Sequence, residues 1–205
     1  MPIVSESKGA GHTLNTPDKA NATYTAGFNF ELRDDEPDYP ALVLGNFILG
    51  GSTLSSRLGD RIRQKDGLSY GVSSSFSASA FDERAGLTIT AICNPKNAGR
   101  VQADVVEELD RLLKAGVTTE EVEKAKQGYL QAQKVGRSSD SALAGILSGL
   151  RYAARTMAYQ AALEKKIESL TPDQISTALR KHVDPKRLVV VTAGDFGEKA
   201  VAPVQ

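Results

Sequence analysis

Residues 55–79 read SSRLGDRIRQKDGLSYGVSSSFSAS: a charged helical segment, a glycine stop, then a strand that opens on tyrosine. Leu54, Leu58 and Ile62 recur at intervals of four and give the helix a narrow apolar seam, while Arg57, Arg61 and Lys65 line another side. Gly67 stands where a left-handed residue ends a helix. Beyond it Tyr70, Val72, Phe76 and Ala78 share one parity and Ser69, Ser73, Ser75, Ser77 and Ser79 the other, so the strand has one apolar and one small polar face. Arg63 and Tyr70 lie seven residues apart across this helix-to-strand corner. A guanidinium and a phenol so placed can converge on one backbone carbonyl, which suits peptide handling better than small-molecule chemistry.

Working outward, residues 20–33 alternate as a half-buried strand, with Ala22, Tyr24, Ala26, Phe28, Phe30 and Leu32 facing one way. A breaker at residues 34–37 precedes a core helix carrying Tyr39, Leu42, Val43, Asn46 and Phe47, widened by Leu44, Ile48 and Leu49. Gly50 and Gly51 end it, and Ser52 or Thr53 can cap the next helix. Downstream, residues 85–93 pair with 69–80 as a hairpin through the turn Phe81-Asp82-Glu83-Arg84. Helices follow: a stripe of Val101, Val105, Leu109 and Leu112, a capping box of Thr118 with Glu121, a long stretch over 138–170, and a second capping box at Thr171-Pro172-Asp173-Gln174. Residues 188–193, LVVVTA, form a short apolar closing strand, and Gly194-Asp195 ends it. Strand, helices, hairpin, helices, strand is the order of an α+β domain, with helices packed on one face of an antiparallel sheet. Residues 1–19 have little periodicity and several breakers and read as an arm or linker stub; residues 20–205 form the domain.

A chain of 205 residues is long enough for a sizeable core, and its 25 basic and 25 acidic residues leave no global field that points to nucleic acid or a membrane surface. No apolar run approaches the roughly 20 residues of a membrane span. Cys93 is the only cysteine, so no internal disulfide forms, and redox context stays open.

Zinc hydrolase chemistry needs paired histidines with a helical glutamate, yet only His12 and His182 occur and neither sits in HExxH or HxxEH. His12 reads as a loop residue and His182 as a packed or helix-terminal one. Gly67-Leu68-Ser69-Tyr70-Gly71 matches the GxSxG string of serine hydrolases, but a nucleophile elbow has a strand before the serine and a helix after it, the reverse of this order. Leu49-Gly50-Gly51-Ser52-Thr53 has no lysine at Walker spacing and reads as a helix–helix turn. Glu107, Glu108, Glu120, Glu121 and Glu123 read as surface residues near helix starts. Arg63 and Tyr70 stay open on patterning alone: a functional pair, or a helix-terminal cation beside an amphipathic strand tyrosine.

The stretch LGNFILGGSTLSSRLGDRIRQKDGLSYGVSSSFSA resembles the C-terminal half-domain signature of the insulinase, or pitrilysin, family of inverted zincins. The resemblance extends over residues 20–196, through the Asp34 to Pro40 turn, the helix opening at Gly116-Val117-Thr118-Thr119-Glu120-Glu121-Val122 and the closing Gly194-Asp195-Phe196. It implies an α+β domain facing a peptide chamber, in which Arg63 holds a substrate carbonyl and Tyr70 stabilises an oxyanion, both catalytic and substrate-binding. It also implies a partner: an HxxEH domain, in the same parent chain or a separate subunit, that holds the zinc this chain lacks. The other expectations of this sequence are a non-proteolytic scaffold of the same fold and, more distantly, a serine hydrolase using Ser69. Similar bacterial proteins point to the periplasm, while composition leaves the cytoplasm open.

Overall fold

β2 (Ala22–Phe30) runs through the middle of a five-stranded sheet of order β1-β5-β2-β4-β3. The computed structural model describes residues 8–52 and 55–197, so Thr53 as a cap and Leu54 of the apolar seam lie outside the described residues. β3 (Ser69–Ala78) and β4 (Ala85–Cys93) form the expected hairpin, and β4 and β5 (Val189–Gly194) flank β2 antiparallel to it. One pair departs from an all-antiparallel sheet: β1 (Ala10–Asn15) lies parallel to β5, which makes the sheet mixed. The segment expected as an arm therefore contributes an edge strand. Its partner is about 180 positions away in sequence, where no local pattern reveals the pairing.

One sheet face is the core. Ala22, Tyr24, Ala26, Phe28 and Phe30 of β2 alternate inward beside Ala85, Leu87, Ile89, Ala91 and Cys93 of β4, as period-two patterning requires. Over them pack α1 (Tyr39–Asn46), α2 (Ala98–Ala115) and α6 (Pro172–His182), which bring Leu42 and Leu44, the Val101-Val105-Leu109-Leu112 stripe, and Ile175 with Leu179. Phe30 stacks on Phe76 at 6.1 Å and tilts against His182 at 5.4 Å, so His182 is a packed residue. Its Nε2 lies 2.9 Å from Asp38 Oδ2, which also accepts from Lys181 Nζ at 2.6 Å. Burial works to raise the Asp38 pKa, but these two partners outweigh it and hold the carboxyl below its usual value.

Both capping boxes are present, at Thr118 with Glu121 and at Thr171 with Gln174. They open α3 (Thr119–Gly136) and α6. The long helical stretch holds two helices, α4 (Asp140–Tyr152) and α5 (Met157–Ser169). Ala154 takes φ 54° between them and Thr156 caps α5. The break is fixed from outside: the Arg155 fork donates to both Asp34 oxygens at 2.5 and 2.7 Å and lies 4.0 Å over the Tyr159 ring. Glu108 is a correction, since it is 1% exposed rather than on the surface. It falls in the 101-105-108-112 register of the α2 core stripe, and its carboxylate accepts from Arg111 at 2.6 Å.

Candidate functional site

The helix of the decisive stretch is π-wound over Gly59–Lys65, and the core helix α1 likewise passes into a π-turn at Phe47–Gly51. π-turns are uncommon and gather at functional sites because they redirect side chains without ending a helix. Here each abuts β3. Asn46 Oδ1 accepts from Ser74 Oγ at 2.7 Å, and Gly50 presses so close that a Cβ there would lie 2.7 Å from Ser74 N. Arg61 anchors the second turn by reaching Asp104, Glu107 and Asp66 at 2.8 to 3.2 Å, with Asp104 itself 1% exposed. Sequence pattern had placed Arg61 on a polar side only; its bonds to Asp104 and Glu107 span more than forty positions in the chain.

Between the two π-turns and residues 71–74 of β3 lies a cleft of about 210 Å³, lined by Gly50, Gly51, Ser56, Gly59, Asp60, Arg63, Gln64 and Ser74 among others. Arg63 is exposed on its wall. Tyr70 adjoins the cleft through Gly71, which lines it.

Tyr70 departs from the expected parity. β3 pairs Ser69 with Cys93 and Gly71 with Ile92, so Tyr70 is an extra residue, a β-bulge with no partner on β4. Counted back from the hairpin turn without the bulge, Tyr70 would oppose Cys93, which is buried, and would point into the core. Instead it is 82% exposed. The bulge that turns Tyr70 outward is not visible in an alternating serine strand, where only Gly71 hints at irregularity.

The sheet face away from the helices is open. β2 presents Thr23, Thr25 and Asn29 there, β4 Thr88, Thr90 and Ile92, β3 Ser73, Ser75 and Ser77, and β5 Val189 and Val191. Among the described residues no strand contains Asp, Glu, Lys or Arg. A solvated sheet face ordinarily carries such charges; this one is neutral and built of Ser, Thr, Asn, Ile and Val side chains.

Two arrangements are not assembled among the described residues. His12 stands on the open face opposite Val191, whereas His182 lies on the helix side against Phe30. Among the described residues no group of three or more His, Cys, Asp or Glu side chains is placed to hold a metal ion. Ser69 is 7% exposed and its hydroxyl engages backbone groups of Gly71 and Ile92, while His182 engages Asp38; a serine–histidine pair is not assembled. Among the described residues no helix is long and apolar enough to cross a membrane.

The family model for the inactive domain of M16 peptidases matches residues 2–129. A peptidase M16 inactive domain from Pseudomonas fluorescens superposes with TM-score 0.80 at 26% identity, covering 93% of this chain and 44% of that one. A protease from Helicobacter pylori gives 0.79 at 17%, with coverage of 92% and 45%. The inactive peptidase domain of a candidate zinc protease from Bordetella parapertussis gives 0.69 at 16%, with coverage of 91% and 95%. The chain thus spans less than half the length of the first two structures. No curated protein sequence matches it.

Proposed function

This chain belongs to the peptidase M16 inactive-domain family, and from that premise we propose that it is the substrate-holding half of a composite zinc peptidase. The zinc and its HxxEH motif reside in another domain of the parent chain or in a partner subunit, because the histidines here lie on opposite faces of the sheet. This chain supplies two groups. Arg63 donates from its guanidinium to a carbonyl of an extended peptide and fixes its register. Tyr70 donates its phenolic O–H to the oxyanion that develops when the scissile carbonyl becomes tetrahedral. The β3 edge is blocked at Ser74 by Asn46 and Gly50, so the peptide lies along the neutral open face and the Arg63 cleft rather than extending the whole edge.

The observation that carries this reading is the exposed, bulged Tyr70 beside the Arg63 cleft. A large aromatic turned out of a core-facing parity gives up burial worth about 2 kcal/mol, which a purely structural strand has no reason to forgo.

The test is reconstitution with the HxxEH-bearing domain and hydrolysis of a quenched fluorescent peptide. Tyr70→Phe lowers kcat by about 10²-fold or more at little change in KM, as loss of an oxyanion donor does. Arg63→Ala acts mainly on KM. Wild-type kcat/KM in both variants would make the chain a non-proteolytic scaffold, and zinc-free hydrolysis by the isolated chain would overturn the division of labour altogether.

A further inference from the structure

Ser69 sits at the foot of the bulge that turns Tyr70 outward. Its side chain is buried, and its oxygen accepts from Gly71 N–H at 3.2 Å while its single O–H reaches the carbonyls of Ile92 at 2.7 Å and Gly71 at 2.8 Å. These groups flank Tyr70 on its own strand and on the facing one. The bulge disrupts the ladder between Ser69 and Gly71, and the Ser69 hydroxyl ties backbone groups together on both sides of it.

We propose that Ser69 is a positioning residue, whose hydroxyl clamps the bulge between Ser69 and Gly71 and so aims the Tyr70 phenol at the peptide. This rests on the role proposed for Tyr70. The clamp also explains why a serine in a GxSxG string is no nucleophile here, since its proton is committed to backbone carbonyls. The direction of Tyr70 is set by three features together: the left-handed Gly67 (φ 61°) that precedes the strand, the extra residue, and the Ser69 hydroxyl. Only the last can be removed by a side-chain change that keeps the core volume nearly constant.

Two measurements on the full chain separate the clamp from the chemistry. In Ser69→Ala the Gly71 amide loses the Ser69 Oγ acceptor, and its hydrogen exchange quickens about tenfold as the bulge opens locally. In the peptidase reconstituted with the HxxEH domain, the same variant lowers kcat about tenfold, with KM unchanged, because the phenol is misaimed and not lost. Ser69→Thr, which keeps the hydroxyl, restores both readings. In a Tyr70→Phe background Ser69→Ala produces no further loss, since no phenol remains to aim.

Wild-type exchange at Gly71 and wild-type kcat in Ser69→Ala overturn the inference. An equal kcat loss from Ser69→Ala with Tyr70 intact and in the Tyr70→Phe background overturns it too, because Ser69 would then act through something else. A different pattern marks failure of the underlying reading: Tyr70→Phe silent in activity while Ser69→Ala still frees the Gly71 amide. That result removes the catalytic role of Tyr70 and the positioning role with it.

Discussion

Replacing Gly50 by alanine sets two opposing effects against each other, and the structure decides the sign. Gly50 lies in the first π-turn with helical backbone, so an alanine there gains up to about 1 kcal/mol of propensity. The added Cβ, however, would stand 2.7 Å from both Ser74 N and Ser74 Oγ and 3.0 Å from Leu58 Cδ1. Because one of these atoms is backbone of β3, the π-turn or the strand must shift. Overpacking of this kind costs about 1–3 kcal/mol, and contact with backbone puts it near the upper end. The net loss is about 1–2 kcal/mol, or a Tm lower by about 3–6 °C for a chain of this size. Gly145→Ala is the control, since Gly145 lies inside α4 with nothing within 4 Å of an added Cβ. It keeps the propensity gain alone and raises stability by about 0.5–1 kcal/mol. Urea denaturation followed by circular dichroism measures both, with an unchanged slope as the check that only stability moved. A Gly50→Ala protein as stable as wild type, alongside a stabilised Gly145→Ala, would refute the claim that the π-turn is pressed against β3.

Two further outcomes test the frame around the site. Arg155→Ala loses about 1–3 kcal/mol by stranding the Asp34 carboxylate, and Arg155→Lys recovers less than half because a point charge cannot make the two-pronged contact; unchanged urea midpoints in both would show that the α4–α5 break does not depend on this pair. In acid, the Asp38 and Glu121 carboxyls matter most, since hydrogen-bonding partners hold both below their ordinary values of 3.8 and 4.5 despite burial. A carboxyl depressed in the folded state adds stability above its unfolded pKa and loses it as pH falls through the folded pKa. Urea midpoints should accordingly be flat near neutrality and drop from about pH 4.5 downward, less steeply in Glu121→Gln; a midpoint that rises on acidification contradicts the assignment.

What could be read from the chain was whatever repeats locally. The β2 and β4 alternations, the α2 stripe and both capping boxes each span a few residues and survive intact in the structure. Arg63 and Tyr70 were visible only as a spacing, with no orientation. The features that were not legible depend on distant partners. β1 has no pattern of its own because β5 defines it; the α4–α5 break needs Asp34; the buried Asp104 needs Arg61. The bulge at Tyr70 is hidden differently: one inserted residue inverts parity, and the serines around it carry no apolar signal to reveal the inversion.

The strand order has a consequence for how the molecule is made. β5, the last strand among the described residues, is inserted between β1 and β2, so β1 has no strand neighbour and β2 has only β4 until about residue 194 has left the ribosome. Until then β2, apolar on one face, keeps a bare hydrogen-bonding edge, the kind of surface that recruits strands from other molecules. Stopping synthesis just short of residue 188 would therefore leave a hairpin-bearing intermediate with an open seam in the middle of its sheet. The valine run at Val189, Val190 and Val191 closes that seam, joining β1 on one side and β2 on the other.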